Sequence, residues 1–231
     1  MLDAIHNCDC LQFMSDMEDG SVDLIVTDPP YLINYKTNHR KDKNHEFNTE
    51  IQNDSLTDKP FIEKCISQFY RILKEDTACY IFCSTKTIDF FKPTVEKEGF
   101  ILRNMIAWDK GNWTAGDLEA QFGQQYEILL LLNKGRRKIN GHRYGDIWKY
   151  PRVSSDKLVH QNQKPISLIK SCIEQHSNKG DVVLDAFSGS GTTALASKEL
   201  DRRYIALEIE KKYCEIAEKR LISSSAQQTL L

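Results

Sequence analysis

Short apolar runs and stretches with apolar residues at every third or fourth position take turns along most of the chain. The runs read as strands near Asp3–Cys8, Val22–Thr27, Ala78–Cys83, Ile101–Trp108, Tyr126–Leu132, Val182–Ala186 and Tyr204–Glu208, because continuous apolarity over so few residues suits a strand buried on both faces. The spaced stretches predict helices over Leu11–Met17, Asp58–Leu73, Thr87–Glu98, Pro165–His176, Thr192–Leu200 and Lys211–Leu221, with Asp58 and Pro165 as helix starts. Strand and helix in alternation point to a mostly parallel sheet with helices on both faces.

Seven such strands make a full Rossmann-like α/β sheet, and 231 residues suit a single domain spanning the chain. Three stretches, 34–57, 109–125 and 133–164, are polar and without periodicity, the last two with three glycines each. Loops this long in a compact domain are usually functional or mobile. The first is read as a mobile loop and the last as a short insertion for target recognition. The tail from Ser223 to Leu231 is expected to fray.

Composition narrows the class. Hydrophobic residues make up 40%, no run approaches the ~20 apolar residues that span a bilayer, and Met1–His6 lacks a basic region followed by an apolar core. A soluble, cytoplasmic protein is expected. Seven cysteines (Cys8, Cys10, Cys65, Cys79, Cys83, Cys172 and Cys214) are an odd, scattered set that suits reduced thiols. Neither Cys8-x-Cys10 nor Cys79-x3-Cys83 has a second pair at zinc spacing, so no metal is expected. The net charge of −2 hides a regional imbalance. Lys134, Arg136, Arg137, Lys138, Arg143, Lys149 and Arg152 face one acid, Asp146, with Tyr144, Trp148 and Tyr150 interleaved. Basic plus aromatic suits nucleic acid. Lys36, Arg40, Lys41 and Lys43 form a second basic cluster; solvated loop charge is the alternative for each cluster taken alone.

The run Val22–Thr27 ends in Asp28-Pro29-Pro30-Tyr31. Two prolines stop a strand and remove two donors, while their carbonyls stay as acceptors at fixed angles. A carboxylate and a rigid carbonyl can accept both hydrogens of an amino group, and the ring offers a face to a flat heterocycle. The tetrapeptide therefore reads as a trap for an exocyclic amine, with an ordinary turn as the alternative.

Val182–Asp185 followed by Ala186-Phe187-Ser188-Gly189-Ser190-Gly191-Thr192-Thr193-Ala194 reads as strand, glycine turn and helix. Gly189-x-Gly191-x-x-Ala194 permits close approach of a nucleotide, and Glu208 ends the next strand, where a carboxylate can hold ribose hydroxyls. Thr192 and Thr193 after Gly191 exclude a Walker loop. Alone, the loop would fit a dinucleotide or a merely structural turn. A nicotinamide enzyme has no use for an amine trap, however, whereas methyl transfer to an amino nitrogen needs both sites. The combination points to S-adenosylmethionine.

With these motifs the chain resembles the β-class DNA amino-methyltransferases, in which the catalytic motif precedes the cofactor motif. Asp28-Pro29-Pro30-Tyr31 matches the catalytic motif, with Asp28 also bordering the cofactor, and Phe187-Ser188-Gly189-Ser190-Gly191-Thr192-Thr193 matches the cofactor loop. Lys164-Pro165, after Gln163, looks like the segment lining the methionine end; Asp9, with Cys10 beside it, sits where relatives contact adenine; Glu208 takes the ribose position. In the family's usual sheet order, the strand before Asp28 becomes the fourth and that before Gly189 the first. These two neighbours meet where ligands bind in open α/β sheets.

The resemblance implies transfer of a methyl group to N6 of an adenine flipped out of double-stranded DNA. Asp28 and the Pro29 carbonyl would hold the amine, and Tyr31 the ring. Cytosine N4 is the runner-up, since it uses the same trap, but cytosine enzymes of this class more often carry Ser at position 28. RNA and protein amine methyltransferases commonly begin the motif with Asn. A silent nucleic-acid-binding subunit is the reading from another class. A homodimer and a cognate restriction endonuclease stay open as partners. Lys134–Arg152 is the expected recognition stretch, with Lys36, Arg40 and Lys41 as a second clamp, mostly on phosphates.

Overall fold

The computed structural model describes residues 1–34, 52–113, 118–153 and 163–228. Its elements in chain order are β1 (Ala4–Asn7), α1 (Cys10–Ser15), β2 (Val22–Thr27), a 3₁₀ turn (Leu56–Asp58), α2 (Lys59–Ile72), β3 (Leu73–Cys83), α3 (Ile88–Lys97), β4 (Ile101–Asp109), β5 (Tyr126–Lys134), β6 (Ile147–Lys149), α4 (Ile166–His176), β7 (Val182–Asp185), α5 (Thr192–Glu199), β8 (Arg203–Glu208) and α6 (Lys211–Gln228). Most of the expected mobile loop, residues 35–51, lies outside the described residues.

The strands form one sheet in the order β1-β8-β7-β2-β3-β5-β4-β6. All run parallel except β5, which is antiparallel to both β3 and β4. Strand residues alternate between the two faces. Ile25, Cys79, Ile81 and Leu184 join the core under α1, α2 and α3, while Leu24, Val26, Tyr80, Phe82 and Val183 join the core under α4 and α5. The apolar stripe of α2 (Ile62, Cys65, Ile66, Phe69, Ile72) is buried at helical spacing. Asp58 does stand at the start of that helix, but its carboxylate accepts from Ser55 N at 2.9 Å and so closes a capping box on the preceding turn.

The sheet carries one strand more than the seven expected. β6 has three residues, too few for a period, and is held at the edge by pairing with β4 (Ala107 with Ile147, Trp108 with Trp148) and by Trp108 Nε1 donating to Tyr150 O at 2.8 Å. β3 begins at Leu73, ahead of the expected Ala78, because Leu73 pairs with Val22; the exposed Lys74-Glu75-Asp76 hid this part of the strand. All seven cysteines are unpaired thiols.

Candidate active site

β2 and β7 are neighbours, with Leu24 against Val183 and Ile25 against Leu184, so Asp28 and the glycine loop leave the sheet side by side at its carboxyl edge. Thr27 Oγ1 donates to Asp185 Oδ1 at 2.9 Å and ties the two strand ends together. Between them opens a cleft lined by Asp28, Lys164, Phe187, Ser188, Gly189, Ser190, Thr192 and Thr193 among the expected residues, and by Val26, Thr27, Phe82, Gln163, Ile169 and Asp185 besides.

The glycine loop is shaped from both sides. Gly189 (φ 51°) and Gly191 (φ 75°) occupy the left-handed region. A Cβ on Gly191 would stand 2.7 Å from Ala217 Cβ, so α6 can pack this close only against glycine. Glu208 Oε2 accepts from Gly189 N at 2.7 Å and its Oε1 from Glu210 N at 2.8 Å; burial pushes this carboxyl up. From α6, Arg220 donates to the Ser190 carbonyl, to Ser190 Oγ at 3.0 Å and to Thr192 Oγ1 at 3.3 Å. Ser188 Oγ is buried on the cleft wall with no hydrogen-bond partner, a polar atom whose partner a ligand can supply. Asp185, buried beneath the loop, has its carboxyl pushed up to about 6 by burial, against hydrogen bonds from Thr193, Phe187 N and Thr27.

The remaining cofactor expectations are placed differently. Asp9 lies at the carboxyl end of β1 as the N-cap of α1, accepting from Gln12 N at 2.9 Å. The Cys10 side chain belongs to the core, with Sγ 4.0 Å from Cys65 Sγ, so only its backbone can meet a ligand. Pro165 is buried as the N-cap of α4 and lies outside the cleft lining. Lys164 lines the cleft, but its ammonium turns to Asp28: Nζ stands 2.6 Å from Asp28 Oδ2, 3.1 Å from Tyr31 OH and 3.3 Å from Glu127 Oε2.

Around Asp28 the expected amine trap forms a hydrogen-bond and ion-pair network. The Tyr31 hydroxyl donates to Asp28 Oδ1 at 2.6 Å, and Thr87 Oγ1 donates to the Tyr31 carbonyl at 2.9 Å, which anchors Tyr31 at both ends. Glu127 also pairs with Lys110 at 3.3 Å. Burial raises the Asp28 carboxyl; Lys164 pulls it back and Glu127 pushes it up again. For Glu127 burial is outweighed by Lys164 and Lys110, which leave it below the ordinary carboxylate range. Burial and Asp28 push the Tyr31 hydroxyl up. Glu127, Lys110 and Asp185 escaped the sequence reading. Asp185 had a signal, a carboxylate ending a strand just before the glycines. Glu127 had none, because it reaches the site only through the reversed direction of β5.

The basic stretch divides. Lys134 ends β5 opposite Thr77, whereas Glu127 lies near its start, beyond the Ile128–Cys83 pair, so Lys134 lies at the edge of the sheet away from Asp28. Its ammonium donates to the carbonyls of Tyr70 (2.9 Å) and Leu73 (2.8 Å), closing the end of α2. Arg137 donates to His176 O at 3.3 Å and Asn140 Oδ1 at 3.2 Å, Arg136 N to Asp76, and Lys138 follows on the same side, before Asn140 bonds the end of α4. These four residues of the expected recognition stretch therefore lie on the side of the sheet away from Asp28, where β5 carries them. Lys149 pairs with Asp109 at the carboxyl edge, and Arg152 follows it, exposed; Arg143 is exposed ahead of β6. Lys36, Arg40 and Lys41 lie outside the described residues.

The family described as DNA methylase, grouping N6 and N4 methyltransferases, matches residues 22–219. The chain belongs to this family. It is 29% identical over 237 residues to the type II methyltransferase M2.MboI of Moraxella bovis, covering 94% of this chain and 86% of that one. The crystal structure of M1.HpyAVI in complex with S-adenosylmethionine superposes with a TM-score of 0.72 at 28% identity, covering 94% of this chain and 98% of that one. The cytosine-N4-specific PvuII DNA methyltransferase shares the fold, with a TM-score of 0.76 at 16% identity over 94% of this chain and 85% of that one. The protein is a DNA amino-methyltransferase whose cofactor is S-adenosylmethionine. The residues present fit that cofactor, with the orphaned Ser188 Oγ, the left-handed Gly189 and the Asp185 carboxyl lining the cleft and Glu208 holding the loop through Gly189 N. Among the described residues no helix is long and apolar enough to cross a membrane.

Proposed function

We propose that this chain methylates the N6 amino group of an adenine flipped out of double-stranded DNA. The observation that carries the reading is the placement of Asp28 beside the glycine-loop cleft across the β2–β7 pair. The bound cofactor supplies an electrophilic methyl group on sulfur. Asp28 and the Pro29 carbonyl accept the two amino hydrogens, which draws the nitrogen toward tetrahedral geometry and frees its lone pair. Pro30 keeps that carbonyl rigid, and Tyr31 stacks on the base. Most of the rate then comes from positioning and electrostatics. Asp at position 28 favours adenine over cytosine by resemblance to the adenine enzymes. A rim bearing exposed Lys149 and Arg152, with Trp113 (71% exposed) and Phe122 (99% exposed) in the segment between β4 and β5, supports a duplex approaching from the carboxyl edge. The chemistry itself requires neither a second copy of the chain nor a cognate endonuclease.

The test is incubation with methyl-labelled cofactor and unmethylated genomic DNA, RNA or protein, followed by nucleoside analysis. Label is expected in N6-methyladenine from DNA. Label confined to N4-methylcytosine, or found in RNA, overturns the substrate. Asp28→Ala is expected to abolish transfer with cofactor affinity held within a few fold; turnover at the wild-type rate refutes the role of Asp28.

A further inference from the structure

Lys164 is 9% exposed, and its ammonium has Phe82, Tyr31 and Trp108 ring centroids at 4.9, 5.5 and 5.9 Å as well as Asp28 and Glu127 as ion-pair partners. Three rings and two carboxylates on one lysine form a socket that holds the ammonium against Asp28. We infer that Lys164 is a positioning residue that keeps the Asp28 carboxylate ionised and aimed at the incoming amine, and that Glu127 holds Lys164 in place; the inference rests on the reading of Asp28 given above.

Each Asp28 oxygen receives one donor from the protein, Tyr31 OH on Oδ1 and Lys164 Nζ on Oδ2, both at 2.6 Å. A carboxylate oxygen accepts about two hydrogen bonds, so one lone pair stays on each for the amine while the two tethers fix the carboxylate plane. Ionisation is the harder requirement. Facing Asp28 are Glu127 from β5, Asp185 from β7, the Cys83 thiol from β3 and the Tyr31 hydroxyl, with Lys110, after β4, neutralising Glu127 from behind. Burial pushes the Cys83 thiol up to about 12 and the Tyr31 hydroxyl well above its ordinary value, so neither carries charge at neutral pH. Among the described residues Lys164 is the cation paired with Asp28. Without it, two neighbouring carboxylates and burial would leave Asp28 protonated, and a protonated carboxyl presents a donor where the amine needs an acceptor. Glu127 keeps the ammonium from leaving the socket, at the cost of its own repulsion on Asp28.

The experiment measures kcat/KM against pH on the full chain with DNA and cofactor, for wild type, Lys164→Met, Lys164→Arg, Glu127→Gln and the double variant Lys164→Met/Glu127→Gln. Thermal melting and cofactor affinity check folding. Lys164→Met should move the acid limb up by about one pH unit or more, a loss of about tenfold or more on that limb that is recovered at high pH. Lys164→Arg should keep the limb near that of wild type. Glu127→Gln should move it down, and the double variant should fall between Glu127→Gln and Lys164→Met. A loss in Lys164→Met that is equal at every pH overturns the inference. Should Lys164→Met not fold, Glu127→Gln carries the test, and an unmoved limb overturns it. Asp28→Ala separates the two levels: a variant with full turnover sinks the reading of Asp28 itself, whereas an inactive one beside an unshifted Lys164→Met limb sinks this inference alone.

Discussion

Gly191→Ala is the sharpest test of how the cofactor loop is built. The residue stands at φ 75° at the start of α5, and an added Cβ would lie 2.7 Å from Ala217 Cβ and 3.3 Å from Ala217 Cα. Ala217 is wholly buried in α6, so it has no room to retreat. Left-handed backbone costs a non-glycine residue roughly 1–2 kcal/mol, and one methyl forced into a packed contact costs about 1–3 kcal/mol more. The sum is about 2–5 kcal/mol, which for a chain of this length lowers Tm by roughly 5–15 °C. Calorimetric melting of the cofactor-free protein measures it, alongside cofactor affinity, which should weaken as the loop shifts. Ala217→Gly alone costs about 1 kcal/mol as a helix-interior glycine, yet added to Gly191→Ala it removes the steric part. The double variant should therefore melt above Gly191→Ala. A Gly191→Ala protein melting with wild type, or a double variant melting below the single one, would refute the argument that α6 packing dictates this glycine.

Further outcomes follow from buried charge. His176 accepts or donates at 2.7 Å with the Tyr80 hydroxyl, and burial, reinforced by Arg137, lowers its pKa from 6.5 to about 4. The unfolded chain thus takes up a proton that the folded one refuses. The stability is fully present above pH 6.5 and should be lost toward pH 4, by about 3 kcal/mol; urea midpoints across that window should slope less in His176→Gln, and an unchanged slope counts against the burial argument. Because Asp185 is pushed up to about 6, a cationic ligand meets more of its ionised form as pH rises. Cofactor affinity by calorimetry should strengthen up to about tenfold per unit below pH 6, level off above it, and lose this dependence in Asp185→Asn. Lys134→Gln should lower stability by about 1–3 kcal/mol, by stripping the Tyr70 and Leu73 carbonyls of their donor, with DNA affinity unchanged. Lys149→Ala should instead weaken DNA binding and flatten its salt dependence, as fluorescence anisotropy at several salt concentrations would show.

Much of this protein was legible in local sequence. Val22–Thr27 and Val182–Asp185 are apolar on both faces, and such runs have few options but central parallel strands. Asp28-Pro29-Pro30-Tyr31 and the Gly189–Thr193 loop announce themselves because their chemistry is contained in neighbouring residues. Glu208, placed where it could hold ribose hydroxyls, does stand at the end of β8, where it clasps the loop through Gly189 N. What local sequence could not carry was direction and depth. β5 runs against its neighbours, so one strand delivers Glu127 to the active site and Lys134 to the far edge. A charge cluster that looked continuous was thereby cut in two. Lys164, expected to line the cofactor, does line the cleft but turns its ammonium to Asp28, a partner 136 positions away. The elements and the two motifs follow from periodicity and side-chain type, which are properties of neighbours in sequence. The charge network around Asp28 depends on which strand ends share an edge, and only the folded sheet decides that.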